Sequence, residues 1–234
     1  KTASGSVSPA INAGTNVLTV YPNGVVPSYD ASGALRFVGG VVDIGAYESP
    51  MGPTEMPSTI VTTVDDVVDA YDGLISLREA VAYANNYNLG STITFAASIN
   101  GSTLYLNDSL TLETDLVIDG LANGAQGFVL TTASGVVDRP IVYVNSGSSV
   151  LNGLTITGRR SERLQLGEKD FTVENGGAIY VRAGSIALYN CLLTDNAAKK
   201  GSVVYLNEAS NEVAAKLVNC TVVKNMTLGS IDSG

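Results

Sequence analysis

From Ser91 onward the chain repeats itself, and that repetition restricts its folding options more than any other feature. Tyr-Leu-Asn at 105–107, Tyr-Val-Asn at 143–145, Tyr-Val-Arg at 180–182 and Tyr-Leu-Asn at 205–207 line up, each followed by an apolar stretch. In the last three units an Asn then opens a β-rich run: LNGLTITG at 151–158, YNCLLTDN at 189–196 and VNCTVVKN at 218–225. Asn152, Asn190 and Asn219 occupy matching positions, as do Gly153, Cys191 and Cys220, then Gly158, Asn196 and Asn225. Short strands with Asn at the turns and loops of variable length predict a solenoid with one coil per unit. Leucine-rich repeats would show their Leu spacing, and propeller blades would need four strands per unit. The expected fold is therefore mainly β, a parallel β-helix with coils about 4.8 Å apart.

The remainder of the chain is organised differently. Residues 1–49 hold short apolar runs broken by Asn-Ala-Gly, Pro-Asn-Gly, Ala-Ser-Gly and Val-Gly-Gly, which are turn signals in a small β segment. Residues 50–58 carry three prolines and read as a linker. The body spans 59–234, beginning with a strand over 59–64. The run SLREAVAYANNYN predicts a helix over 76–87. Ser76 and Glu79 form a capping box, and Leu77, Ala80, Val81 and Ala84 make one apolar stripe that must rest on the β structure. Residues 159–175 interrupt the repeat with a charged loop rich in Arg, Lys, Glu and Asp.

Composition excludes several classes of function. The net charge of −9 argues against nucleic acid and anionic membranes as partners, and it tolerates divalent cations. Histidine is absent, which removes Ser-His-Asp triads and most zinc or iron sites. No apolar run approaches the roughly 20 residues of a membrane span. The chain starts at Lys1 rather than Met, as expected of a processed mature form or a piece of something longer.

Three resemblances follow from these segments. TIVTTVDD with ISLREAVAYAN resembles the start of the CSLREA family of bacterial surface proteins, with Ile75 where the family signature has Cys. That resemblance implies a right-handed parallel β-helix opened by a strand and a capping helix. The repeats resemble the wider pectate-lyase-like β-helix class. SPAINAG at 8–14, with DASGALRFVGGVVDIGAYE at 30–48, resembles a choice-of-anchor Q domain, an element that closes such a β-helix at its C-terminal end. A terminal element thus precedes an initial one, and the sequence stops in mid-repeat. Either the chain is a window cut from a longer array with adjacent modules, or residues 1–49 of one copy complete the open end of the next. The second option makes a secreted or surface-displayed homopolymer: a filament, stalk or adhesin shaft. Its interface residues would be Ser8, Pro9, Ala10, Ile11, Val42, Ile44 and Tyr47 on one side, with Val203, Tyr205 and Val222 on the other.

Features that would carry chemistry are sparse. Asp65, Asp66, Asp69 and Asp72 supply hard oxygen ligands suited to Ca²⁺, yet an EF-hand register puts Val68 and Ala70 at ligand positions. The plain alternative is an acidic loop before a helix. The 159–175 loop is either a partner site or a neutral insertion. Tyr105, Tyr143, Tyr180 and Tyr205 are either a packing ladder or a sugar-stacking platform. Asn152, Asn190 and Asn219 read as a structural ladder along the axis. Cys191 and Cys220 read as a reduced pair in stacked coils, a disulfide being the alternative. Asp119, Asp138 with Arg139, Asp195 and Lys224 form no catalytic constellation. The expectation is a structural, non-enzymatic protein; the runner-up is a β-helix that binds or degrades carbohydrate.

Overall fold

The computed structural model describes residues 29–33, 55–87, 91–125, 127–134, 136, 139–158, 175–207 and 213–227. The chain divides into two compact units, Lys1–Met56 with Asp69–Leu74, and Pro57–Val68 with Ile75–Gly234. In the first unit, Asp30 organises the predicted turn at Ala-Ser-Gly. Its carboxylate accepts from the Ser32 amide at 2.8 Å, and its carbonyl accepts from the Gly33 amide at 3.1 Å. The Glu55 amide donates to the Ala70 carbonyl at 2.8 Å, holding two separate stretches of this unit together.

The second unit is mainly β, and its strand pairs are parallel. Its elements run β1 (Ile60–Val61), α1 (Leu77–Tyr87), β2 (Thr92–Phe95), β3 (Thr103–Leu106), β4 (Leu110–Leu112), β5 (Val117–Asp119), β6 (Val129–Thr132) and β7 (Val142–Val144). They continue with β8 (Ser148–Asn152), β9 (Thr155–Thr157), β10 (Ile179–Val181), β11 (Ser185–Tyr189), β12 (Leu192–Thr194) and β13 (Ala197–Ala198). The last are β14 (Val204–Leu206), β15 (Ala214–Val218), β16 (Thr221–Val223) and β17 (Met226–Thr227).

The chain visits three sheets in a fixed rotation. The first sheet is β1-β2-β5-β8-β11-β15, the second β3-β6-β9-β12-β16 and the third β4-β7-β10-β14, while β13 and β17 form a small fourth sheet. Alternation decides which side chains are enclosed. In β11, Ile186 and Leu188 are buried, while Ser185, Ala187 and Tyr189 are partly exposed. Ile118, Leu151 and Leu188 succeed one another in register and are wholly buried, as do Leu130, Ile156 and Leu193 in the second sheet. Continuous apolar columns of this kind explain how a chain with little aromatic content builds a core from Leu, Ile and Val.

The helix α1 forms where its cap predicts. The Glu79 amide donates to Ser76 Oγ at 3.1 Å, and the Ser76 amide donates back to Glu79 Oε2 at 2.9 Å. Leu77, Ala80 and Val81 are buried and Ala84 packs against the same core, beside β1 and β2. The predicted 59–64 strand is only Ile60–Val61. Thr62 and Thr63 turn instead toward Ile75, whose carbonyl accepts from both amides.

Two repeat alignments need correction. Tyr105 lies in β3 and pairs with Thr131 in the second sheet; Tyr143, Tyr180 and Tyr205 belong to the third, where Tyr143 pairs below with Thr111. Tyr105 is therefore no rung of that column. In addition, Asn152 pairs with Tyr189, which puts Gly153 rather than Asn152 level with Asn190. The shared conformation is the reason. Gly153 (φ 68°), Asn190 (φ 53°) and Asn219 (φ 53°) all take the left-handed turn, a conformation that Gly and Asn tolerate best.

Candidate assembly interface

Two side-chain ladders run across the repeats, one to the end of β15 and one to β14. The first is polar. Asn152 donates from Nδ2 to Asp119 Oδ1 at 2.9 Å, Asn190 donates to Asn152 Oδ1 at 2.9 Å, and Asn219 donates to Asn190 Oδ1 at 2.6 Å. Every bond points the same way, ending on a carboxylate that also accepts from the Leu121 amide. The Asp119 foot of this ladder escaped sequence reading, because an Asp in place of Asn hid the match. Its signal is the Asp-Gly at 119–120 that parallels Asn152-Gly153.

A second pair lies at the next turn, with Asn196 buried and Asn225 half-buried. Asn225 Oδ1 accepts from both the amide and Nδ2 of Asn196 at 3.0 Å, and Asn225 Nδ2 donates to the Leu193 carbonyl at 2.8 Å. These side chains tie the turn to the backbone of β12 and β9, since Asn196 Nδ2 also donates to the Ile156 carbonyl at 3.0 Å.

The other ladder is aromatic. Tyr143 and Tyr180 stack with centroids 5.0 Å apart and planes 3° apart; Tyr180 and Tyr205 follow at 5.4 Å and 26°. The rings stack on one another, so both faces of Tyr180 and one face each of Tyr143 and Tyr205 are taken up within the column. Burial, then the neighbouring Tyr143 and Tyr205 phenols, push the Tyr180 hydroxyl above its usual pKa. Beside this stack runs a polar row in which Arg182 donates to Asn145 Oδ1 at 3.0 Å, and Asn207 donates to the Arg182 carbonyl at 3.2 Å.

Both ladders lead to a last set of strands that is not enclosed. Leu188 and Leu193 are 0% exposed, whereas their register partners Leu217 and Val222 are 41% and 49% exposed. In both sheets an inward position changes from core to surface within one repeat. Val203 and Tyr205 are half-buried on the same end. Of the other expected interface residues, Ser8, Pro9, Ala10, Ile11, Val42, Ile44 and Tyr47 lie outside the described residues, as does most of the charged 159–175 loop.

The remaining candidates resolve into local partners. Cys191 and Cys220 are free thiols whose Sγ atoms lie against the carbonyls of Tyr189 and Leu188 at 3.2 and 3.4 Å. Burial pushes the Cys191 thiol up to about 11. Among the acids, Asp66 is clamped by Arg78, which donates from Nε and a terminal nitrogen at 2.9 and 2.7 Å. Asp66 also accepts from the Asn107 amide at 2.7 Å, and Arg78 reaches the carbonyls of Asp108 and Ser109. This fork ties the start of α1 to the β3–β4 turn and gives the Arg of SLREA a structural task that sequence reading did not assign. Asp65 accepts from the Thr63 hydroxyl, while Asp69 and Asp72 accept from the Tyr71 and Leu74 amides. Among the described residues no three Cys, Asp or Glu side chains are grouped to hold a metal ion. Arg139 pairs with Asp108 at 2.7 Å, a contact that holds the Asp108 carboxyl below its usual pKa. No helix among the described residues is long and apolar enough to cross a membrane.

Comparison of the chain with family models, curated proteins and solved structures gave no match.

Proposed function

We propose that the three sheets close on one another as a right-handed parallel β-helix and that the protein is an extracellular structural subunit polymerising head to tail. In this reading residues 1–49 of one copy cover the β14–β17 end of the next. The observation that carries the reading is the change at two inward positions, from fully enclosed Leu188 and Leu193 to exposed Leu217 and Val222. An apolar layer in strand conformation, with an open edge, is stabilised by whatever adds the next strands. The cyclic order of the sheets and the resemblance of the helix region to CSLREA proteins support the β-helix. The resemblance of residues 1–49 to a terminal, end-closing element supports their role as the cover. Because donor and acceptor surfaces sit on different parts of the chain, the contact is heterologous and propagates. Self-contact of the tyrosine faces supports a packing role over sugar stacking.

Sedimentation velocity tests this over a range of concentrations. The wild type is expected to form larger species as concentration rises, and the double variant Leu217→Lys/Val222→Lys to stay monomeric with its fold intact. A wild type that stays monomeric at every concentration would sink the proposal.

A further inference from the structure

We propose that Val20–Asn23 of a neighbouring copy adds as the next parallel strand beside β14, placing Tyr21 on the outer face of Tyr205 and Pro22 on the new free edge. This rests on the head-to-tail reading above and specifies its register.

The chain has eleven tyrosines, and only four follow a Val or Ile: Tyr21, Tyr143, Tyr180 and Tyr205. The last three are the stacked column of the third sheet. Their strands read Val-Tyr-Val-Asn (142–145), Ile-Tyr-Val-Arg (179–182) and Val-Tyr-Leu-Asn (204–207), and residues 20–23 read Val-Tyr-Pro-Asn. The first two positions match all three strands and Asn23 matches Asn145 and Asn207, while Pro22 stands where Val144, Val181 and Leu206 stand.

That proline would ordinarily argue against a strand. Hydrogen-bond direction in this sheet removes the objection. The residues that face outward send their amides back to the preceding strand: Asn145 to Leu112, Arg182 to Val144 and Asn207 to Val181, at 2.8, 2.8 and 2.9 Å. The residues that face inward send theirs forward, as Val142 does to Ala178 and Ile179 to Val203. A strand in the same register would therefore bind β14 through the amides of Tyr21 and Asn23. The amides of Val20 and position 22 would point to the far side. Proline at 22 costs no bond to β14 and deletes a donor from the edge that becomes exposed. Val20 and Pro22 would meanwhile cover Val204 and Leu206, which are only half-buried, unlike Ile179 and Val181 below them.

Cross-linking reads the register directly. In a Cys191→Ala/Cys220→Ala background, Tyr21→Cys and Tyr205→Cys proteins are mixed and treated with a thiol–thiol reagent of about 5 Å reach, the spacing of adjacent strands. A covalent dimer is expected for this mixture and not for Pro22→Cys with Tyr205→Cys, whose side chains would face opposite sides. Linking through position 22 instead, in a protein that still polymerises, would mean a one-residue slip; it would overturn this register and leave the head-to-tail reading standing. Absence of both cross-links and larger species would overturn both. Linking only within a chain that carries both cysteines would overturn the copy-to-copy contact. Should Tyr205→Cys fold poorly, Tyr21→Ala and Tyr21→Phe serve in the wild-type background. Loss of the ring is expected to raise the critical concentration about tenfold, and Phe is expected to preserve it. Equal behaviour of Ala, Phe and Tyr at position 21 would contradict the stacking.

Discussion

Gly184→Ala is expected to destabilise the second unit by about 3–5 kcal/mol, combining a left-handed backbone penalty with overpacking. Gly184 (φ 82°) turns the chain from the third sheet into the first, directly above Gly147 (φ 78°) in the preceding repeat. A methyl group at 184 would lie 2.0 Å from the Gly147 carbonyl oxygen, and one at 147 would lie 2.5 Å from the Thr114 carbonyl carbon. These are backbone obstacles held at inter-strand spacing, so no side chain can rotate away to make room. The contrast is Gly101 (φ 75°) in the same unit, which has nothing within 4 Å of an added methyl and should lose only the backbone component, about 1–2 kcal/mol. Chemical denaturation of the two variants beside the wild type measures the difference. Equal losses would mean that the stacked turns can spread and that the repeats are loosely layered.

A second large effect separates an enclosed repeat from an exposed one. Leu188→Ala should cost about 2–5 kcal/mol, because Leu188 is wholly buried between Leu151 and Leu217 and its removal leaves a cavity. Leu217→Ala, at the same inward position one strand later, should cost under about 1 kcal/mol in the isolated monomer, since 41% of Leu217 is already in solvent. In the proposed head-to-tail assembly Leu217→Ala should weaken association instead, because a further strand would turn the same side chain into core. Denaturation in dilute solution gives the first comparison, and sedimentation near the polymerisation threshold gives the second. If Leu217→Ala proved as costly as Leu188→Ala in a dilute monomer, the last strands would already be covered within the molecule.

Much of this arrangement can be read from residues alone, and the misreadings have identifiable causes. Ser76 and Glu79 announce α1 because a capping box depends only on local spacing. The Tyr-x-Asn recurrence announces parallel repetition because equivalent residues must meet the same environment in each repeat. Tyr105 misled because its Tyr-Leu-Asn is carried by the second sheet, and both sheets share an in–out alternation that sequence cannot tell apart. Asn152 misled by one position because Gly153 supplies the left-handed turn there, whereas Asn190 and Asn219 supply it themselves. The ladder tolerates that offset because an Asn side chain reaches its neighbour from either place. The bond from Arg78 to Asp66 stayed hidden since it joins residues separated by a loop, with no periodicity to betray it. The match of Tyr21 to the tyrosine column becomes meaningful only once the direction of the third sheet's amides is known, because Pro22 otherwise disqualifies the strand.

Cryo-electron microscopy of the purified chain beside a variant lacking residues 1–49 tests the central claim most directly. Unbranched filaments are expected from the full chain, with strand layers about 4.8 Å apart continuing across each junction, and none from the shortened chain. Uniform single particles from both, at every concentration, would contradict it.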